Sequence, residues 1–115
     1  MELNMLVEWL QTKGAIMDEA VRIALERKAV DIFEAKRLEI GMSIDALAAK
    51  LYPDVPIANA RMTLNRLRKP QVTGKPKRLL YGDFIDMCIA LNEPPERIVA
   101  QTILETLKGK DTKRD

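Results

Sequence analysis

The chain has 115 residues and a mass of 13.1 kDa, room for one compact domain with a small accessory piece. Hydrophobic residues make up 47% and charged residues 31%, which supports a packed core and argues against a disordered or fibrous chain. His is absent and Cys occurs once, which excludes a His–Cys zinc site, a Cys-ligated iron–sulfur cluster, a disulfide within one chain and a Ser–His–Asp triad.

The opening MELNMLVEW lacks a basic region followed by a long apolar run, so no signal peptide is expected. No stretch approaches eighteen apolar residues, so no membrane span is expected and a cytoplasmic location is the default. From Glu2 to Gln11, Leu3, Leu6, Val7 and Leu10 fall on one side with Trp9 close by, the pattern of a short amphipathic helix ended by Lys13-Gly14.

The next helical stretch starts near Asp18 and runs to Ile40 before Gly41. Ala20, Ile23, Ala24, Val30, Phe33, Ala35 and Leu38 recur at helical spacing, but the phase slips around Arg27-Lys28. One long helix and two consecutive ones both fit. Ser43 is placed to cap a helix carrying Ala46, Leu47, Ala48 and Leu51. Tyr52-Pro53-Asp54-Val55-Pro56 interrupts it, because two prolines in four residues cannot sit inside a helix.

A further helix follows over Ile57 to Arg68, with Ala60, Leu64 and Leu67 inward and Arg61, Asn65, Arg66 and Arg68 on its other faces. Residues 69–77 form a basic loop, followed by a helix near Tyr81 to Leu91 and a last helix after Pro94-Pro95. Ile98, Val99, Thr102, Ile103, Leu104 and Leu107 supply the apolar side of that helix. The fold class is therefore all-α. It divides into an N-terminal helical extension (1–28), a helical domain (29–108) and a tail (109–115).

Charge is unevenly distributed. Nineteen basic and seventeen acidic residues leave only +2, yet residues 61–81 hold seven bases and no acid. Residues 1–40, 41–60 and 82–115 sum to −2, −1 and −2. A +7 stretch on and after a short helix, itself preceded by a short helix and a tight break, is the layout of a helix-turn-helix. Such concentrated charge points to nucleic acid, whereas ordinary surface mixes its signs. Aromatics total five and none interleaves the basic run, so stacking on single strands is poorly supported.

The run Arg37-Leu38-Glu39-Ile40-Gly41-Met42-Ser43-Ile44-Asp45-Ala46-Leu47-Ala48-Ala49-Lys50-Leu51 resembles the opening of the lambda-repressor-like (Cro/C1, XRE-type) DNA-binding domains. Leu64-Asn65-Arg66-Leu67 is similar to a segment of their recognition helix, and residues 79–99 to their last two helices. Ile44 stands where that family usually carries Gln, and the break over residues 52–59 is longer than its usual turn.

The resemblance implies a sequence-specific regulator of double-stranded DNA. The reading it favours is a phage or mobile-element repressor binding a palindrome as a homodimer. It places Arg61, Met62, Asn65 and Arg66 toward base edges. Arg61 and Arg66 suit guanine, Asn65 suits adenine or a phosphate, and Met62 either touches a thymine methyl or packs. Ser43, Thr63, Arg68, Lys69, Lys75, Lys77 and Arg78 are the phosphate-contact candidates, with Ser43 equally suited to capping alone. The loop could instead enter the minor groove as a basic arm. Ile98, Ile103 and Leu107 are the dimer-interface candidates.

An activator or DNA-bending excision-type factor is a close variant, and RNA polymerase or an anti-regulator protein is a further conceivable partner. An antitoxin-like protein-interaction module is the alternative of a different class. No enzyme, metal or cofactor is expected. Cys88 and Phe33 read as core residues, and Trp9 as core or interface.

Overall fold

The computed structural model describes residues 8, 11, 16–69 and 77–108. Among the described residues five helices have both of their ends placed: α1 (Glu19–Glu39), α2 (Ile44–Leu51), α3 (Ile57–Arg68), α4 (Tyr81–Ala90) and α5 (Pro95–Ile103). A π-helical turn (Leu104–Lys108) extends α5. Among the described residues the protein is all-helical, with no strand, and no helix is long and apolar enough to cross a membrane. Of the expected Glu2–Gln11 helix, only Glu8 and Gln11 are described, and both are helical. Trp9, Lys75 and the 109–115 tail lie outside the described residues.

Asp18 starts α1 by accepting the Val21 N–H at 2.9 Å, one of the donors a helix start leaves unpaired. The helix then runs unbroken through Arg27-Lys28, so the boundary expected at 28/29 falls inside it. Gly41 ends it at φ 71°, a conformation that glycine adopts without a Cβ clash. The Gly41 N–H bonds to the Leu38 carbonyl and the Met42 N–H to the Arg37 carbonyl, the two bonds of a Schellman motif. At the end of α4, Asn92 adopts φ 56° and the same pair of bonds forms from Asn92 to Ile89 and from Glu93 to Cys88.

The core draws on each of these five helices. Ala29, Val30, Ile32 and Phe33 of α1 meet Leu47 and Ala48 of α2 and Ala60, Leu64 and Leu67 of α3. Met87, Cys88, Leu91 and Ile98 close it from the far side, and the Phe33 and Phe84 rings lie 5.5 Å apart and tilted. α1 packs on α5 and the final turn, and α2 packs on both α3 and α4. Ala48 and Ala60, both fully buried, supply the small side chains between α2 and α3. Ala46 and Ala49 face outward instead.

The inward phase of α1 also differs from expectation. Ala20, Ala35 and Leu38 are exposed, and Arg37 is buried in their stead. The Arg37 guanidinium bonds to the Met42 carbonyl at 2.7 Å and to Glu34, so a charged side chain fastens the α1–α2 corner where an apolar one would leave that carbonyl unpaired.

Candidate nucleic-acid interface

α3 is polar on the outside for a structural reason: Ala60, Leu64 and Leu67 at spacings of four and three put its apolar stripe wholly on the core. The exposed surface is then Ile57, Ala58, Asn59, Arg61, Met62 and Arg66, continuing to Lys69. No acidic residue occurs on α3, and Arg66 and Arg68 sit at its C-terminal end, where the helix dipole favours cations. Its N-terminus carries no side-chain cap, which leaves backbone N–H groups pointing outward.

α2 stands alongside, capped by Ser43, whose Oγ accepts the Ala46 N–H at 3.0 Å. Accepting leaves the Ser43 hydroxyl hydrogen available to donate. Asp45, in the first turn, receives Arg61 in a two-pronged bond: Nε to Oδ1 at 2.6 Å and Nη2 to Oδ2 at 2.9 Å. The Arg61 hydrogen bond is the chief cause holding the Asp45 carboxyl below its ordinary range, and Asp45 in turn raises Arg61.

The described bases of the charged stretch thus fall into different roles. Arg68 bonds to Glu34 at 2.6 Å and to the Asn65 Oδ1 at 2.6 Å, with its side chain mostly buried. Arg78 is gripped by Glu26 through Nε and Nη2 at 2.8 and 2.6 Å, and by Glu19 through Nη1 at 2.7 Å. The Glu26 hydrogen bond is the main cause raising Arg78 beyond the usual arginine range. Neither is free for the phosphate contact expected of it: both guanidiniums are committed to holding the chain together. Among the described residues Arg66, Lys69 and Lys77 make no ion pair, and Arg66 only reaches the Met62 sulfur at 3.5 Å.

The remaining candidates divide similarly. Met62 is half exposed on the outer face of α3. Thr63 donates its hydroxyl to the Asn59 carbonyl one turn back, and Asn65 keeps its amide N–H groups while its oxygen serves Arg68. Ile98 is fully buried in this chain's own core and has no surface to offer a second chain, which corrects its place among the interface candidates. Ile103 and Leu107 are half-buried, and Ile103 lines an apolar groove of about 400 Å³ with Leu25, Leu79, Leu80, Tyr81 and Phe84.

The residues that organise this surface carried no motif of their own. Glu19, Glu26 and Glu34 recur at spacings of seven and eight, which stacks them on one side of α1. That acidic stripe, set against the basic run, was the available signal that part of the +7 is internally balanced. Arg27, placed at the phase slip, reaches across to donate to the Leu67 and Arg68 carbonyls at 2.7 and 3.0 Å. No family model matches the chain, and neither a curated protein nor a solved structure matches it.

Proposed function

We propose that the chain is a sequence-specific regulator of double-stranded DNA built on a helix-turn-helix of the lambda-repressor-like type, with α2 as the supporting helix and α3 as the recognition helix. The observation that carries this reading is the two-sidedness of α3. One face is wholly buried through Ala60, Leu64 and Leu67, and the opposite face is exposed, acid-free and set with Arg61, Met62 and Arg66. A helix so supported can enter a major groove, which is about 12 Å wide.

Arg61, Met62, Asn65 and Arg66 are the base-edge residues of this proposal, with Ala58 and Asn59 added by their exposure in the first turn. Ser43, Thr63, Lys69, Lys75 and Lys77 serve the phosphates, whereas Arg68 and Arg78 are withdrawn from that role by their carboxylate partners. A recognition helix reads few base pairs, so the active form is a homodimer on a palindrome, acting as a phage or mobile-element repressor. Its interface is the groove beside Leu80 and Tyr81, which are 63% and 82% exposed.

Those same two side chains favour the second reading, a protein-interaction module, because large exposed apolar groups are the raw material of a protein contact. Selection of bound duplexes from a random pool, followed by footprinting of the winner, separates the two. The DNA reading predicts an enriched, two-fold symmetric motif protected in the major groove. Recovery of unenriched sequence contradicts it.

A further inference from the structure

The Asp45–Arg61 pair leaves a defined part of the guanidinium unused. An arginine head carries five N–H donors, arranged as a side fork (Nε with Nη2) and an end fork (Nη1 with Nη2). Asp45 occupies the side fork, at 2.6 and 2.9 Å. Nη2 spends one of its two hydrogens there, and Nη1 donates to nothing among the described residues. The end fork therefore keeps the two parallel donors that match the N7 and O6 acceptors of guanine.

Both partners are anchored from behind. Asp45 lies in the first turn of α2, two residues after the Ser43 cap, and Arg61 follows the fully buried Ala60 of α3. The pair bridges supporting and recognition helices on their solvent side, with the Asp45 side chain 52% and the Arg61 side chain 46% exposed. If Arg61 turned instead to a phosphate, the Asp45 carboxylate would face DNA with its partner gone, a like-charge contact that the paired arrangement avoids.

We infer that Asp45 is a specificity-determining positioning residue: it holds Arg61 with the end fork presented to a guanine and penalises contacts in which Arg61 serves the backbone. This rests on the reading of α3 as a major-groove helix. It requires that removing the carboxylate charge have opposite effects on two quantities. Affinity for arbitrary DNA rises, because a negative charge is lost beside the phosphates, and discrimination at one G·C pair falls.

The test compares the wild-type chain with Asp45→Asn, Arg61→Lys and the double variant, by anisotropy titration of three kinds of duplex. These are the one the wild type selects, its single-pair variants and a scrambled control, with thermal melting of each protein as the fold check. Asp45→Asn is expected to melt near the wild type and to bind scrambled DNA several-fold tighter. It is also expected to lose about tenfold discrimination at one G·C pair and at no other, within the range of a bidentate contact. Arg61→Lys loses the same preference, and adding Asp45→Asn to it changes that position no further. A wild-type chain with a clear motif whose Asp45→Asn variant keeps every preference within twofold overturns this inference alone. So does a loss spread evenly over all positions together with a lowered melting temperature, which marks a purely structural pair. A wild-type chain that selects no motif removes the major-groove reading itself, and this inference with it.

Discussion

Arg27 of α1 donates its Nη1 to the carbonyl of Leu67, the last buried residue of α3, at 2.7 Å. Its Nη2 takes the neighbouring Arg68 carbonyl at 3.0 Å, so one guanidinium closes the open end of the outward-facing helix. Replacing Arg27 with Met keeps much of its stem and removes both bonds. Hydrogen bonds involving a charged group contribute about 1.5–3 kcal/mol, so Arg27→Met is expected to cost roughly 2 kcal/mol in denaturant unfolding. An unchanged urea midpoint would show that water replaces the guanidinium at no cost.

Glu34 joins α1 to α3 by accepting from Arg68, and it also accepts from Arg37 of its own helix. Burial pushes its carboxyl up, but the hydrogen bonds from Arg37 and Arg68 outweigh burial and hold it below the ordinary 4.5. Glu26 is lowered chiefly by its Arg78 bond, against the same opposing burial. A carboxylate depressed in the folded state contributes stability that is fully present above its unfolded value and is lost as pH falls through the folded one. Stability should therefore hold at neutral pH and decline from about pH 5 downward. Glu34→Gln should be less stable at pH 7 and show a shallower decline, as read by chemical denaturation across pH 3 to 7. A slope identical to the wild type would exclude Glu34 as a contributor.

Among the described residues two helix ends rest on positive φ, one with glycine and one with asparagine. Beyond Gly41 and its chain neighbours, no atom of the described residues lies within 4 Å of where a Cβ would stand, so the cost of Gly41→Ala is conformational and amounts to about 1 kcal/mol. Asn92→Ala should lose a similar amount, while Asn92→Gly should be neutral to slightly stabilising. Melting temperatures of the three variants check this, and an Asn92→Ala chain as stable as the wild type would contradict it.

Thr102 is 6% exposed, and its hydroxyl, like that of Thr106, is buried without a hydrogen-bond partner among the described residues. An unpaired buried hydroxyl costs about 1–3 kcal/mol in desolvation, and Val has nearly the same shape. Thr102→Val is therefore expected to stabilise the chain by about 1 kcal/mol in denaturant unfolding. Destabilisation would mean that the hydroxyl has a partner in solution.

Much of the helical layout was legible because the relevant signals are local. Ser43 as a cap, the Pro53 and Pro56 break, and the inward trio Ala60, Leu64 and Leu67 all depend on residues within one or two turns. What the residue pattern missed depends on partners far along the chain. The phase slip at Arg27 arises because that side chain is recruited forty residues away, and the exposure of Leu38 follows from the inward turn of Arg37. The basic stretch was legible as a total but not in its allotment. Arg68 and Arg78 look like Arg66 in the sequence, and only the fold brings Glu34, Glu26 and Glu19 against two of the three.

Base reading by the outer face of α3, as proposed, sets the ratio of affinities for the selected duplex and its scrambled control. That ratio is to be measured for the wild type and for Arg61→Ala/Arg66→Ala. Each bidentate arginine–guanine contact is worth about 1–3 kcal/mol, so the double substitution should cut the ratio by roughly a hundredfold while lowering scrambled-duplex affinity far less. A double variant that retains the wild-type ratio would show that these arginines do not read the bases.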